Sequence, residues 1–170
     1  IYEHNTDFEI KIVDENSVEE YLPELAFLKR ALIKNVEYDS QLQDIVKLAI
    51  LYKFGGLWLS ASTLCLQPLS PLTQLLPEHG IVLFGCPPVQ FRCIDPDTRV
   101  NTETILADKN CIICKNMVDY LSTIYQESNI TGYEFRKTEQ VALRKIIEDN
   151  KMMDIILASS TVDGSRTVYG

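Results

Sequence analysis

The chain has 170 residues, with 16 Lys and Arg against 24 Asp and Glu and a formal net charge of −8. That balance excludes a binder of nucleic-acid backbones, which needs clustered positive charge, whereas the basic residues here are scattered among acids. Apolar residues make up 46% and charged residues 24%, a globular composition, and at this length a folded chain buries about two-thirds of its unfolded surface without metal or disulfide staples.

Phe8 to Val13 alternates apolar and polar residues at period two and runs into Asp14-Glu15-Asn16, the pattern of a strand followed by a turn. Ser17 and Glu20 have capping-box spacing. Behind them Val18, Tyr21, Leu22, Leu25, Leu28, Leu32 and Val36 recur at helical intervals, with Pro23 an irregularity in the early turns. Asp39 or Ser40 can cap the next helix, whose stripe of Leu42, Ile45, Val46, Ala49 and Ile50 ends at Gly55-Gly56, a pair suited to a left-handed cap. Leu57-Trp58-Leu59 then leaves the helix extended, with Trp58 packed in the core.

Ile81 to Cys86 is a nearly continuous apolar run closed by Pro87-Pro88, which suits a strand buried on both faces. Asn101 reads as a turn former. Helical spacing returns from Ile112 to Tyr125, with Ile113, Met117, Tyr120, Leu121 and Ile124 on one side, and again from Thr138 to Glu148. Strands alternating with helices predict an α/β architecture on a mixed, mostly parallel sheet. No repeat, low-complexity tract or linker divides the chain, so one domain over 1–170 is expected.

Five cysteines, Cys65, Cys86, Cys93, Cys111 and Cys114, are an odd number in a chain that needs no cross-links. They favour reduced thiols and an intracellular, cytoplasmic setting, in which the sequon at Asn129 carries no meaning. No apolar run approaches the roughly 18 residues of a membrane span, so no membrane segment is expected. Cys111 and Cys114 have redox or zinc spacing, without a second pair or a nearby His to make a zinc set. His4 and His79 are isolated and read as surface or cap residues.

Chemistry concentrates between Asp44 and Leu69. Asp44 and Lys47 are three apart and share a helix face, while Ser60, Ala61, Ser62 and Thr63 follow the end of a strand. On spacing alone these residues make a weak polar site, and a solvated Asp/Lys pair beside a Ser/Thr turn is the favoured reading.

The same segment resembles glycosyltransferases of the capsular-polysaccharide-synthesis type and, more broadly, family 32 sugar transferases with a DXD motif. Their pattern runs close to S-D-I-x-R-L-x-L-L-Y-x-Y-G-G-I-W-x-D-A-T-x-x-x-x-K-P-L. It is matched here by Asp44, Ile45, Leu48, Leu51, Tyr52, Gly55, Gly56, Trp58, Ala61, Pro68 and Leu69, with Lys47 in place of Arg and Phe54 in place of Tyr. The resemblance implies a GT-A-like, Rossmann-like fold and a retaining transfer of a hexose from a nucleoside diphosphate sugar to a glycan hydroxyl. It implies that Asp44 contacts the donor sugar and that Lys47 binds sugar or phosphate, without the planar fork of an Arg. Ser60, Ser62 and Thr63 would line the diphosphate.

The resemblance also implies Mn²⁺ or Mg²⁺ held by the DXD acids, but Ser60-Ala61-Ser62 stands at that position and names no metal ligand. Charge on a departing diphosphate would then fall to Lys47, Arg92, Arg99 or Arg166. Glu139 and Gln140 resemble acid–Gln pairs that face acceptor sugars in several such enzymes, although helix capping explains them as well. The first strand usual in the family is not found in these residues, which is compatible with a sequence trimmed at both ends or with an incomplete nucleotide site. A transferase-derived pseudoenzyme, acting as a binding or structural protein, is the alternative function.

Overall fold

The computed structural model describes residues 5–14, 16–25, 38–61, 63, 65, 67–76, 80–85, 100–127, 141–143, 145–146 and 149. Its elements are α1 (Val18–Tyr21), a 3-10 turn (Pro23–Leu25), α2 (Tyr38–Phe54), β1 (Gly56–Leu59), α3 (Ser70–Thr73), β2 (Ile81–Gly85), β3 (Val100–Ala107) and α4 (Ile112–Glu127). Residues 141–143 are also helical. Among the described residues no helix is long and apolar enough to cross a membrane.

The sheet corrects the expected topology. Its order is β1-β3-β2, and β1 and β2 each pair antiparallel with the central β3. No parallel pair of strands occurs among the described residues. The apolar run of β2 suggested a parallel sheet because it is buried on both faces, and so it is: Ile81 and Leu83 join one cluster while Val82 joins another. An antiparallel sheet gives the same pattern when both of its faces are covered.

One face carries α2 and α4. Ile45, Leu48 and Leu51 of α2 meet Ile113, Met117 and Leu121 of α4 over Ile81, Leu83, Ile105 and Ala107, with Trp58 packed against them. The opposite face packs Val82 and Leu106 against Leu69 and Leu72, with Leu57, Leu59 and Phe8 at the margin. A third cluster holds α1 to the back of α2 through Val18, Leu22, Val46 and Ala49. Lys53 reinforces that join, donating to the Tyr21 carbonyl at 2.8 Å and pairing with Glu24 at 3.2 Å.

Four local expectations change. Phe8 to Val13 forms no strand; Ile12 is 73% exposed, and period-two alternation without a neighbouring strand has no ladder to join. Asn101 lies inside β3 rather than in a turn, paired with Phe84. Asp39 and Ser40 lie within α2, not at its cap. No Ser17–Glu20 box forms: Ser17 stands at the N-cap without a side-chain cap bond, and the turn before it is held by the Asp14 carboxylate, which accepts from the Asn16 and Ser17 N–H groups at 2.9 and 2.8 Å. Those bonds, led by the one from the Ser17 backbone, hold the Asp14 carboxyl below its ordinary range. Pro23 breaks the early helix as expected, since α1 stops at Tyr21 and a 3-10 turn follows.

Gly55 and Gly56 reverse the chain between α2 and β1 with φ of 71° and 104°. A Cβ on Gly55 would stand 2.6 Å from the Lys109 backbone nitrogen, whereas one on Gly56 would meet nothing within 4 Å. Gly56→Ala therefore costs only the left-handed strain, about 1–2 kcal/mol. Gly55→Ala adds a backbone displacement and is expected to cost at least about 1 kcal/mol more. Chemical denaturation of the two variants measures the difference, and equal losses would show that the close approach to Lys109 does not constrain the fold.

Candidate functional site

Successive residues of α2 advance by about 100° around its axis. Ile45, Leu48 and Leu51 face the sheet and α4, and Val46 and Ala49 face α1. Asp44 falls between Leu51 and Leu48 in the core stripe, and Lys47 at its edge beside Leu51, both away from the Val46–Ala49 side that meets α1.

That position removes them from water. The Lys47 ammonium pairs with Asp44 Oδ1 at 3.2 Å, and the two side chains keep 8% and 20% of their accessible surface. A solvated i,i+3 pair is thereby excluded. Burying an ammonium carries a large desolvation cost that only close opposite charge and further hydrogen bonds offset, and both residues make interactions beyond this contact.

β1 doubles back along α2 from the glycine pair, with Trp58 against the α2–α4 cluster. From Phe54 back to Lys47 is about 10 Å of helix at roughly 1.5 Å per residue. From Gly56 to Ser60 is about 13 Å of extended chain at roughly 3.3 Å per residue. The end of β1 thus comes to about the level of Asp44 and Lys47.

Ser60 continues the ladder past β1, donating its N–H to the Glu103 carbonyl at 2.9 Å. Thr63 then donates to the Ser60 carbonyl at 2.9 Å and closes a four-residue turn. Trp58 pairs with Ile105 and Leu59 with Thr104, so Ser60 stands opposite Glu103. Side chains alternate across a pleated sheet, which puts Ser60 and Glu103 on the face of Trp58 and Ile105, the face that α2 covers. Asp44 and Lys47 thus stand on α2, and Ser60 at the end of β1, the strand that follows α2. Thr63 follows within the turn. Ser62, Glu139 and Gln140, like Arg92, Arg99 and Arg166, lie outside the described residues.

Glu103 is the residue that sequence reading missed. It brings an exposed carboxylate beside the position where the resembled motif has its acids, but it does so from a strand more than forty residues away, and only the β1–β3 register reveals it. A divalent ion of the Mn²⁺ or Mg²⁺ type takes about six hard oxygen ligands and favours carboxylates. The described part of this turn offers one carboxylate and neutral hydroxyls, and among the described residues no three His, Cys, Asp or Glu side chains gather into a possible metal group. This donor set does not fit a resident divalent ion.

Residues 1–149 match the family model for capsular polysaccharide synthesis protein. The chain belongs to that family. The match takes in α2, the glycine reversal, β1, the Ser60 turn and β3, so the buried Asp44–Lys47 pair and its surroundings lie wholly within the family region. No curated protein and no solved structure matches the chain.

Burial of the pair has a measurable consequence. A double-mutant cycle of Asp44→Asn and Lys47→Met should give a coupling energy above about 1 kcal/mol, against about 0.3–0.5 kcal/mol for an exposed helical pair. Urea denaturation of the four proteins measures it, and a value in the exposed range would mean that the pair is hydrated in solution.

Proposed function

We propose that this member of the capsular polysaccharide synthesis family is a glycosyltransferase, built as one GT-A-like domain, that moves a hexose from a nucleoside diphosphate sugar to a glycan hydroxyl with retention. The observation that carries the reading is the buried Asp44–Lys47 pair on α2, inside the region matched to the family. Desolvated charged groups in close contact are expensive to maintain and cluster at functional sites.

In this reading Asp44 accepts hydrogen bonds from hydroxyls of the donor sugar. Lys47 engages sugar or phosphate, and because it is withdrawn from water its charge acts on a departing diphosphate with little screening. Ser60, Ser62 and Thr63 line the diphosphate with hydroxyl and backbone donors. Glu139 and Gln140 stand on the acceptor side. Glu103, opposite Ser60, supplies a carboxylate able to orient a sugar or acceptor hydroxyl. Fixed donors of this kind lower the barrier by being in place before charge develops on the leaving group.

A second reading rests on Ser60-Ala61-Ser62, which stands where the resembled motif has acids. A protein that binds the donor without turning it over would keep Asp44 and lose the acids. Incubation with a panel of nucleotide sugars and glycan acceptors separates the two: released nucleoside diphosphate supports the transferase, and donor binding without release supports the binding protein.

Two outcomes are expected of the site. Asp44→Asn keeps the shape and loses the charge, and a charge-assisted hydrogen bond contributes roughly 1.5–3 kcal/mol. Donor affinity or transfer should fall about ten- to a hundredfold while circular dichroism shows the fold retained; unchanged donor binding removes Asp44 from the site. Donor affinity measured by calorimetry should also differ less than about tenfold between Mn²⁺ and a chelator. A hundredfold gain with Mn²⁺, about 2.7 kcal/mol, would mean that Glu103 or another acid completes a metal site with the donor phosphates.

A further inference from the structure

Cys111 and Cys114 lie in the same core. Cys111 immediately precedes α4, its N–H bonded to the Asp108 carbonyl at 3.2 Å and its own carbonyl accepting from the Lys115 N–H at 3.2 Å. Cys114 sits one turn into the helix. Both are free thiols, and both belong to the cluster formed by α2, α4 and the sheet. Their exposures differ in a useful way: Cys111 keeps 4% of its surface and Cys114 none.

Cys111 is shallowly buried, because Asp108, Lys109 and Asn110 before it are exposed and Ile112 after it is 52% exposed. Residues three apart on a helix have Cα atoms about 5 Å apart, inside the roughly 4.4–6.8 Å that disulfides span between Cα atoms, and rotation of the side chains must bring the sulfurs together. The backbone therefore needs no large movement to join the two sulfurs. No third ligand accompanies them, since no metal-holding group of three His, Cys, Asp or Glu side chains occurs among the described residues.

We propose that Cys111 and Cys114 form a reversible dithiol–disulfide site, with Cys111 as the thiol that attacks a small peroxide and Cys114 as the resolving thiol. The site is independent of the sugar-transfer reading. The Cys111 thiolate attacks one peroxide oxygen, the O–O bond breaks, and Cys111 becomes a sulfenic acid as hydroxide leaves and takes up a proton. The Cys114 sulfur then attacks the Cys111 sulfur; an S–S bond forms, the S–O bond breaks, and the second oxygen departs as water with the Cys114 proton. Two thiols and one hydrogen peroxide thus give one disulfide and two waters, and a small-molecule dithiol reverses the change by exchange.

The electrostatics agree with this division of roles. A hydrogen bond from the Cys114 thiol lowers Cys111 to about 7, against opposition from burial and from the Asp108 charge. The same hydrogen bond, with burial, pushes Cys114 up. Of the two, Cys111 is thus the sulfur that gives up its proton more readily, and Cys114 the one that keeps it.

The test is peptide mapping of the whole chain after graded hydrogen peroxide, with alkylation of remaining thiols. The expected result is a peptide carrying Cys111 and Cys114 that is lighter by two hydrogens, resists alkylation, and becomes alkylatable again after dithiothreitol. A sulfenic-acid trap such as dimedone should label Cys111 in Cys114→Ser at least tenfold more than in the parent protein, where resolution competes, and should leave Cys114 unlabelled in Cys111→Ser. Because the parent protein alone carries the mapping result, an unfolded variant does not spare the proposal. It is overturned if both thiols stay alkylatable at peroxide concentrations that oxidise Cys65, if either is linked to a different cysteine, or if Cys111 proceeds to sulfinic acid in the parent without an intervening disulfide.

Discussion

The reversal at Gly55–Gly56 sets the geometry on which the rest of the described structure depends. A side chain at Gly55 would collide with the Lys109 backbone, so α2 can end, and β1 begin, directly against the turn that leads into α4. Two backbone bonds lock that junction: Gly55 N–H to the Leu51 carbonyl at 2.8 Å, and Asn110 N–H to the Tyr52 carbonyl at 2.7 Å. Asn110 itself adopts φ of 65°, a conformation that Asn tolerates better than most residues. With the junction fixed, β1 has one direction in which to run, β3 pairs with it antiparallel, and the register sets Ser60 opposite Glu103.

What could be read from the sequence follows from how local each feature is. The α2 stripe, the glycine pair and the extended Leu57-Trp58-Leu59 lie within twenty residues, and the forces that shape them are apolar periodicity and left-handed backbone preference. β3 was hidden because VNTETILA interleaves polar residues with apolar ones, and Asn101 alone suggests a turn. Its strand character comes from two partners, β1 and β2, that cover both of its edges. Strand direction was hidden for the same reason: a run buried on both faces is compatible with either pairing, and the covering layers decide. The Phe8 to Val13 alternation shows the converse, a strand-like pattern that remains single.

The site divides along the same line. Asp44 and Lys47 are neighbours on one helix, so their proximity is legible from spacing, but their burial is not. It depends on the Leu48–Leu51 flank being packed against a sheet and a second helix. Glu103 depends on register alone. A buried ion pair is weak evidence for stability, because apolar residues of similar volume would often hold the same space at lower cost. The presence of charge at a position where packing gains nothing from it is what the proposed chemical role of the pair would explain.

The two proposed sites draw on one core. Ser60 stands where β1 finishes, while Cys111 follows the Asp108–Asn110 turn beside the glycine junction where β1 starts. Between them the apolar cluster of Ile45, Leu48, Leu51, Ile105 and Met117 is close-packed, and such interiors transmit a displacement rather than absorb it. The junction itself is held by backbone bonds that do not involve either sulfur: Asn110 to Tyr52, and Asp108 N–H to the Gly80 carbonyl at 2.7 Å. Joining two sulfurs one helical turn apart calls for rotation about side-chain bonds, and the main-chain bonds at the start of α4 can persist through it.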